Sequence, residues 1–176
     1  DKTAWEQLIP VDMSTEEKGY EVEAFTVEIA DQVRGHPLFQ FSQVPEENDE
    51  IIDRHPRFLG TNLVSRAKPA ATVLAVHRKR SMPVMAVQPY GTGRTMAFTS
   101  DAAGGWGLHY QTEWGEGDED NSYYQQFWIN AVRWLAEHSL RLRAGSVIGR
   151  VEGLFFRPGE TVRLRARLLE GDAIPG

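Results

Sequence analysis

Ala71-Thr72-Val73-Leu74-Ala75-Val76-His77, Val84-Met85-Ala86-Val87-Gln88 and Thr95-Met96-Ala97-Phe98-Thr99 are the segments whose reading decides the fold. The first is short, apolar and rich in β-branched residues without alternation, which suits a strand covered on both faces. Between the second and third lies Pro89-Tyr90-Gly91-Thr92-Gly93-Arg94, whose glycines supply the positive φ angles of a hairpin turn. Three adjacent strands are therefore expected, two of them antiparallel. Gly91-Thr92-Gly93 is not read as a phosphate loop, because such a loop needs a following helix whose amides point at the anion, and here a strand follows.

Outward toward the C-terminus, Ser100-Asp101 leads into a long loop rich in glycine and tryptophan (Trp106, His109, Trp114) and then in acid (Glu116, Asp118, Glu119, Asp120). Ser122 and Gln125 stand at capping-box spacing. Tyr124, Phe127, Trp128, Ala131, Val132 and Leu135 then recur at three- and four-residue intervals, an apolar stripe that packs a helix on the sheet; His138 suits the negative end of that helix. In the tail, Val147 to Phe156, Pro158-Gly159-Glu160 and Thr161 to Leu168 read as strand, turn and alternating strand.

Outward toward the N-terminus, the alternating run Tyr20-Glu21-Val22-Glu23-Ala24-Phe25-Thr26-Val27-Glu28-Ile29 reads as one strand with its acids in water. Two His-Pro steps follow, His36-Pro37 and His55-Pro56, in which proline restrains the preceding residue to extended geometry. The acidic patch Glu46-Glu47-Asn48-Asp49-Glu50 between them is expected to be exposed.

The chain has 176 residues, 41% of them hydrophobic and 25% charged, the profile of a folded globular chain with a sizeable core. No apolar run approaches the ~20 residues that cross a bilayer, so no membrane insertion by this chain is expected, and no targeting segment is visible. The net charge of −6 disfavours nucleic acid as a partner, because phosphate binding needs a basic footprint. The local run His77-Arg78-Lys79-Arg80 reads as a solvated turn. The sequence contains no cysteine, which removes disulfides, zinc-cysteine sites and thiol nucleophiles together.

The stretches Ala67 to Ala75, Met82 to Asp101 and Tyr124 to Ala136, with His36-Pro37-Leu38 and Gly60-Thr61-Asn62 upstream, resemble the glutamine amidotransferase-like domains of large bacterial envelope proteins, over roughly residues 20 to 140. The resemblance implies an α/β fold, a flavodoxin-like (class I glutamine amidotransferase-like) sandwich of which this chain holds the C-terminal part. Members commonly sit beside von Willebrand factor A-like modules and membrane helices, and Arg157-Pro158-Gly159-Glu160-Thr161-Val162 resembles the start of an immunoglobulin-like segment that often follows. Implied in turn are a core domain at 1–145, a β-sandwich segment opening at 146–176, the other domains of a parent protein as partners, and a cell-envelope location. A bare strand edge in the tail would invite homo-oligomerisation.

An amidotransferase needs a cysteine thiolate activated by a histidine that a carboxylate orients; here the five histidines have no thiol to activate, and no family catalytic residue carries over. A non-catalytic module without cofactor is the expectation. Against it stand a hydrolase triad of Ser100, Asp101 and His109 at the end of a strand, where α/β proteins place chemistry, although no Gly-x-Ser-x-Gly elbow surrounds the serine. Trp106, His109, Tyr110 and Trp114 could form an aromatic platform for a sugar or peptide, or merely lid the sheet. Glycines at 104, 105, 107 and 115 argue against a regular helix there. Glu116, Asp118 and Asp120 offer hard oxygen ligands of the kind calcium takes, or a solvated acidic loop before a helix N-terminus.

Overall fold

The computed structural model describes residues 3–13, 19–117, 119–143, 147–151 and 164–168. In chain order they form α1 (Ala4–Leu8), β1 (Val11–Asp12), β2 (Tyr20–Glu21), β3 (Val27–Glu28), α2 (Asp31–Arg34), α3 (Pro45–Asp53), β4 (Thr61–Asn62), β5 (Arg66–Ala67), β6 (Thr72–His77), β7 (Pro83–Tyr90), β8 (Gly93–Phe98), α4 (Leu108–Thr112), α5 (Ser122–Arg143), β9 (Val147–Val151) and β10 (Leu164–Leu168), with single 3-10 turns at Pro37–Phe39 and Gly105–Gly107. Two compact units result, residues 1–136 and 137–176.

The first unit is a mixed α/β domain built on a four-stranded sheet of order β3-β6-β7-β8. β7 lies between two partners, and its residues Pro83 to Gln88 are all buried. Its faces serve different clusters. Met85 and Val87 join Leu74, Phe39, Phe58, Tyr110, Trp114 and Phe127 in the main core, whereas Ala86 meets Val11, Val64 and Met82 on the other side. This two-sided burial is what the unalternating apolar runs encode. The β7–β8 hairpin is tighter than the sequence suggested: Tyr90 pairs with Gly93, leaving Gly91-Thr92 as a two-residue turn. Gly91 leads that turn at φ +56°, a backbone conformation glycine adopts without a Cβ penalty.

Every described strand pairing is antiparallel, so the parallel strands of a flavodoxin-like sandwich are not among the described residues. The run 20–29 is not one strand. Tyr20–Glu21 pairs with β4, Phe25 bridges Phe58, and Val27–Glu28 pairs with β6. The apolar positions change parity at Ala24/Phe25: Tyr20 and Val22 are exposed, whereas Phe25 and Ile29 are buried. Glu21 is not in open water but turned toward Arg80, with which it is paired.

The acidic patch is exposed at Glu46, Glu47, Asp49 and Glu50, as expected, and it forms the helix α3, which the sequence reading did not foresee. Pro45 occupies its first turn, and Glu46 and Glu47 favour its positive end. Asn48, Ile51 and Ile52 supply its inner face. Asn48 is buried because its Oδ1 accepts the N–H groups of Phe41 (2.8 Å) and Ser42 (3.1 Å). Arg34 of α2 ties to this helix through Asp53 at 2.6 Å and Asp49 at 3.4 Å.

On α5 the stripe buries Phe127 and Ala131 and half-buries Tyr124, Trp128 and Leu135, but Val132 is 63% exposed. The expected capping box does not close. Ser122 donates its hydroxyl to Asp120 Oδ2 at 2.7 Å, and Gln125 Nε2 donates to Asn121 Oδ1 at 2.7 Å. Asn121, one residue earlier, takes the capping place; its carbonyl accepts the Gln125 N–H at 3.0 Å. The side chain of His138 lies outside what is described.

In the second unit β9 and β10 pair antiparallel, Leu164 opposite Val151 and Leu168 opposite Val147. The expected turn Pro158-Gly159-Glu160 and the segment Arg157 to Val162 lie outside the described residues. Among those described, no helix is long and apolar enough to cross a membrane.

Candidate functional site

The end of β8 is knitted to the segment entering β4. Asn62 sends both its backbone N–H (2.8 Å) and its side-chain amide (3.0 Å) to the Thr99 carbonyl. The Thr61 and Thr99 hydroxyls meet at 2.8 Å. One residue on, Ser100 donates its hydroxyl to the Gly60 carbonyl at 2.7 Å, and Asp101 Oδ2 accepts the Trp106 N–H at 3.0 Å. Trp106 returns the contact, its carbonyl accepting the Leu59 N–H at 2.8 Å. This loop needs its glycines: a Cβ on Gly60 would stand 2.6 Å from Trp106 Nε1, and Gly105, at φ +37°, would bring one 2.6 Å from Asp101 Oδ2.

His109 is positioned by α4 and makes no hydrogen bond to the serine. Its Nδ1 pairs with Glu113 one turn on, and its Nε2 lies 3.3 Å from Arg57 Nη2. A guanidinium can only donate, so Nε2 is the acceptor and the proton sits on Nδ1, directed at the carboxylate. That is the tautomer of a triad histidine, but the nitrogen that would activate a nucleophile is taken by Arg57. Ser100, Asp101 and His109 each have their own partners, and no hydrogen bond joins any two of them.

The aromatic candidates divide. Tyr110 is 0% exposed and Trp114 1%, both inside the main core. Trp114 donates its indole N–H to the Ile51 carbonyl at 3.1 Å, and burial pushes the Tyr110 hydroxyl well above its ordinary pKa. Trp106 and His109 remain partly accessible. The residue that joins Trp106 is one the sequence reading did not select: Tyr20, exposed, with ring centroids 5.5 Å apart. Only the strand pairing of Tyr20 with Asn62 brings it there. A short helix does form in this stretch, but between the glycines: Gly104, Gly105 and Gly107 precede α4 and Gly115 follows it, so none of them pays a helix-interior cost.

In the acidic loop, Asp120 Oδ2 accepts the Glu116 N–H at 2.6 Å as well as the Ser122 hydroxyl, and Oδ1 accepts the Ser122 N–H at 3.2 Å. The backbone bond from Glu116, then the bonds from Ser122, hold its carboxyl below the usual range. Asp120 therefore organises a turn before α5. Glu116 accepts the Tyr123 hydroxyl at 3.4 Å, and Asp118 lies outside the described residues. Among those described, no three acidic or histidine side chains are grouped to hold a metal.

No curated protein matches the sequence. Two solved proteins share the fold. "Cytoplasmic Protein STM3548 from Salmonella typhimurium" is 21% identical with a TM-score of 0.57, and "Cytoplasmic Protein STM1381 from Salmonella typhimurium LT2" is 20% identical with a TM-score of 0.53. Each match covers 76% of this chain and 46% of the solved one, so the chain spans about half the length of these proteins. The family described as "Putative glutamine amidotransferase" matches residues 1–137, and the chain belongs to that family.

Proposed function

We propose that this chain is a non-catalytic interaction or scaffold module of a larger protein, the C-terminal part of a flavodoxin-like amidotransferase core carrying an appended β segment. The observation that carries this reading is the commitment of the strand-end polar groups. Ser100 is spent on the Gly60 carbonyl, Asp101 on the Trp106 amide and the outer nitrogen of His109 on Arg57, in a chain with no cysteine. Glutamine hydrolysis begins with a thiolate attacking the carboxamide, expels ammonia and leaves an acyl-enzyme for water to cleave. A neutral serine hydroxyl that donates to a carbonyl has no base to take its proton. The resemblance supports an envelope location for the parent; the word cytoplasmic in the names of the two solved proteins describes those proteins.

The match to about half of the solved proteins favours one competing reading, an amidotransferase or hydrolase whose catalytic half is supplied by further sequence. Ammonia release from glutamine tests both. The purified chain is expected to give no release above the buffer rate, and Ser100→Ala to leave any residual esterase background unchanged. Glutamine turnover by the chain itself would overturn the proposal; turnover only by the full-length gene product would support the competing reading.

A further inference from the structure

The basic run His77-Arg78-Lys79-Arg80 divides in the structure into a buried histidine, two ion-paired cations and one arginine whose side chain has no partner among the described residues. His77 is buried and stacked on Phe25 with ring centroids 4.1 Å apart, and its Nδ1 accepts the N–H groups of Lys79 (3.2 Å) and Arg80 (3.3 Å). Lys79 is paired with Glu23 and Arg80 with Glu21. The Arg78 backbone N–H reaches the Thr26 carbonyl at 3.2 Å, but its guanidinium has no partner among the described residues.

Strand alternation brings a second cation to Arg78. The bridge Phe25↔Phe58 and the pair Val27↔His77 turn Phe25, Phe58 and His77 into the core, so Thr26, Arg57 and Arg78 point to the opposite face. There Ala24, Phe25, Thr26, Arg57, Arg78 and Lys79 line one cavity. Among the described residues Arg57 meets the imidazole of His109 at 3.3 Å and pairs with no carboxylate. The cavity thus carries two guanidinium charges with no paired acid on either side of a threonine, in a chain whose net charge is −6.

We propose that Arg57 and Arg78, with Thr26 between them, form a binding site for a phosphate-type dianion, the end group of a phosphate monoester. Two planar donor forks supply two charges and a directed set of N–H groups, which a dianion with three terminal oxygens can fill and a single carboxylate cannot. The Thr26 hydroxyl adds a neutral donor. A second cavity shares Thr26 and Arg78; Val27, Ile29 and Ile52 supply its apolar wall, and Glu28, Asp53 and Arg34 its charged one, so it gives the organic part of the ester a place beside the phosphate but favours one that is not itself anionic.

The test is titration of the isotope-labelled chain with inorganic phosphate at constant ionic strength, followed by the Arg Nε–H and backbone amide resonances. Saturable shifts are expected at Arg57, Arg78 and Thr26. Arg78→Gln and Arg57→Gln should each weaken the fitted Kd by about tenfold or more, the loss of one charge-assisted contact. Arg133→Gln, on the exposed side of α5, should leave it unchanged, with all three variants melting at the parental temperature. Acetate should bind more weakly than phosphate. The proposal is overturned by an absence of saturable shifts, by equal weakening in Arg133→Gln, or by acetate binding as tightly as phosphate. None of these outcomes depends on glutamine turnover.

Discussion

At the scale of single residues, the most consequential group outside the loop is His55. It is half-buried, packed among the rings of Phe58, Tyr110 and Trp114 with centroid distances of 5.3, 5.1 and 4.7 Å, and its Nδ1 donates to the Pro56 carbonyl at 2.8 Å. Burial lowers its pKa from 6.5 to about 4. The folded state therefore binds this proton less readily than the unfolded state. Its contribution to stability is intact above the unfolded value of 6.5, declines as pH falls toward about 4, and is constant below that. The full loss is about 3 kcal/mol. His36 and His77 are displaced in the same direction by burial, so His55→Phe is the variant that isolates the effect. Its urea midpoint should fall less than the parental midpoint between roughly pH 7 and pH 4.5; identical falls would assign the dependence elsewhere. Asn48 gives a pH-independent counterpart. Asn48→Ala orphans two N–H groups, of Phe41 and Ser42, and should cost about 2 kcal/mol or more in equilibrium unfolding.

Elements show where sequence patterns translate directly and where they do not. The β6 and β7 strands were legible from short, β-branched apolar runs without alternation, and β8, the edge strand, from the glycine turn that pairs it with β7. The run 20–29 was misread as continuous, although the change of parity between Ala24 and Phe25 was present in it; three short pairings with three partners replace one long one. Helix α3 was hidden by its charge, yet Pro45, an acidic first turn and the adjacent Ile51 and Ile52 are the marks of a helix start and an inner face. The candidate site was legible as a place, the strand end at Ser100-Asp101, but not as an arrangement: which nitrogen of His109 faces Arg57 depends on a contact 52 positions apart in sequence. Helix α5 turns this into a measurable contrast. Phe127 is fully buried against Phe39, Tyr110 and Trp114, with ring centroids 5.9 to 6.1 Å away, so Phe127→Ala should destabilise the protein by about 3–5 kcal/mol. Val132 sits in the same sequence stripe but is 63% exposed, and Val132→Ala should change stability by about 0.5 kcal/mol or less. Comparable losses at the two positions in thermal melts would place the inner face of α5 elsewhere.

For the whole molecule, the charge balance of 19 basic against 25 acidic residues sets what kinds of anion it can approach. Part of the positive charge is engaged: Arg34 with Asp49 and Asp53, Arg66 with Asp12, Lys79 with Glu23 and Arg80 with Glu21. A duplex presents a line of phosphates and is held by releasing counterions from several of them at once. A cavity with two unpaired guanidiniums answers a different geometry, one compact dianion, and the acidic remainder of the surface repels an extended polyanion. The expected result is therefore a separation of two ligands that share the same chemical group. Inorganic phosphate should saturate the Arg57 and Arg78 resonances, while anisotropy of a labelled duplex at about 150 mM salt should show no saturable binding up to about 100 μM chain, the range in which non-specific DNA binders are already bound. Duplex binding that weakens steeply with salt would mean that the basic face extends well beyond these two arginines, and that the net negative charge of the chain does not govern what it meets.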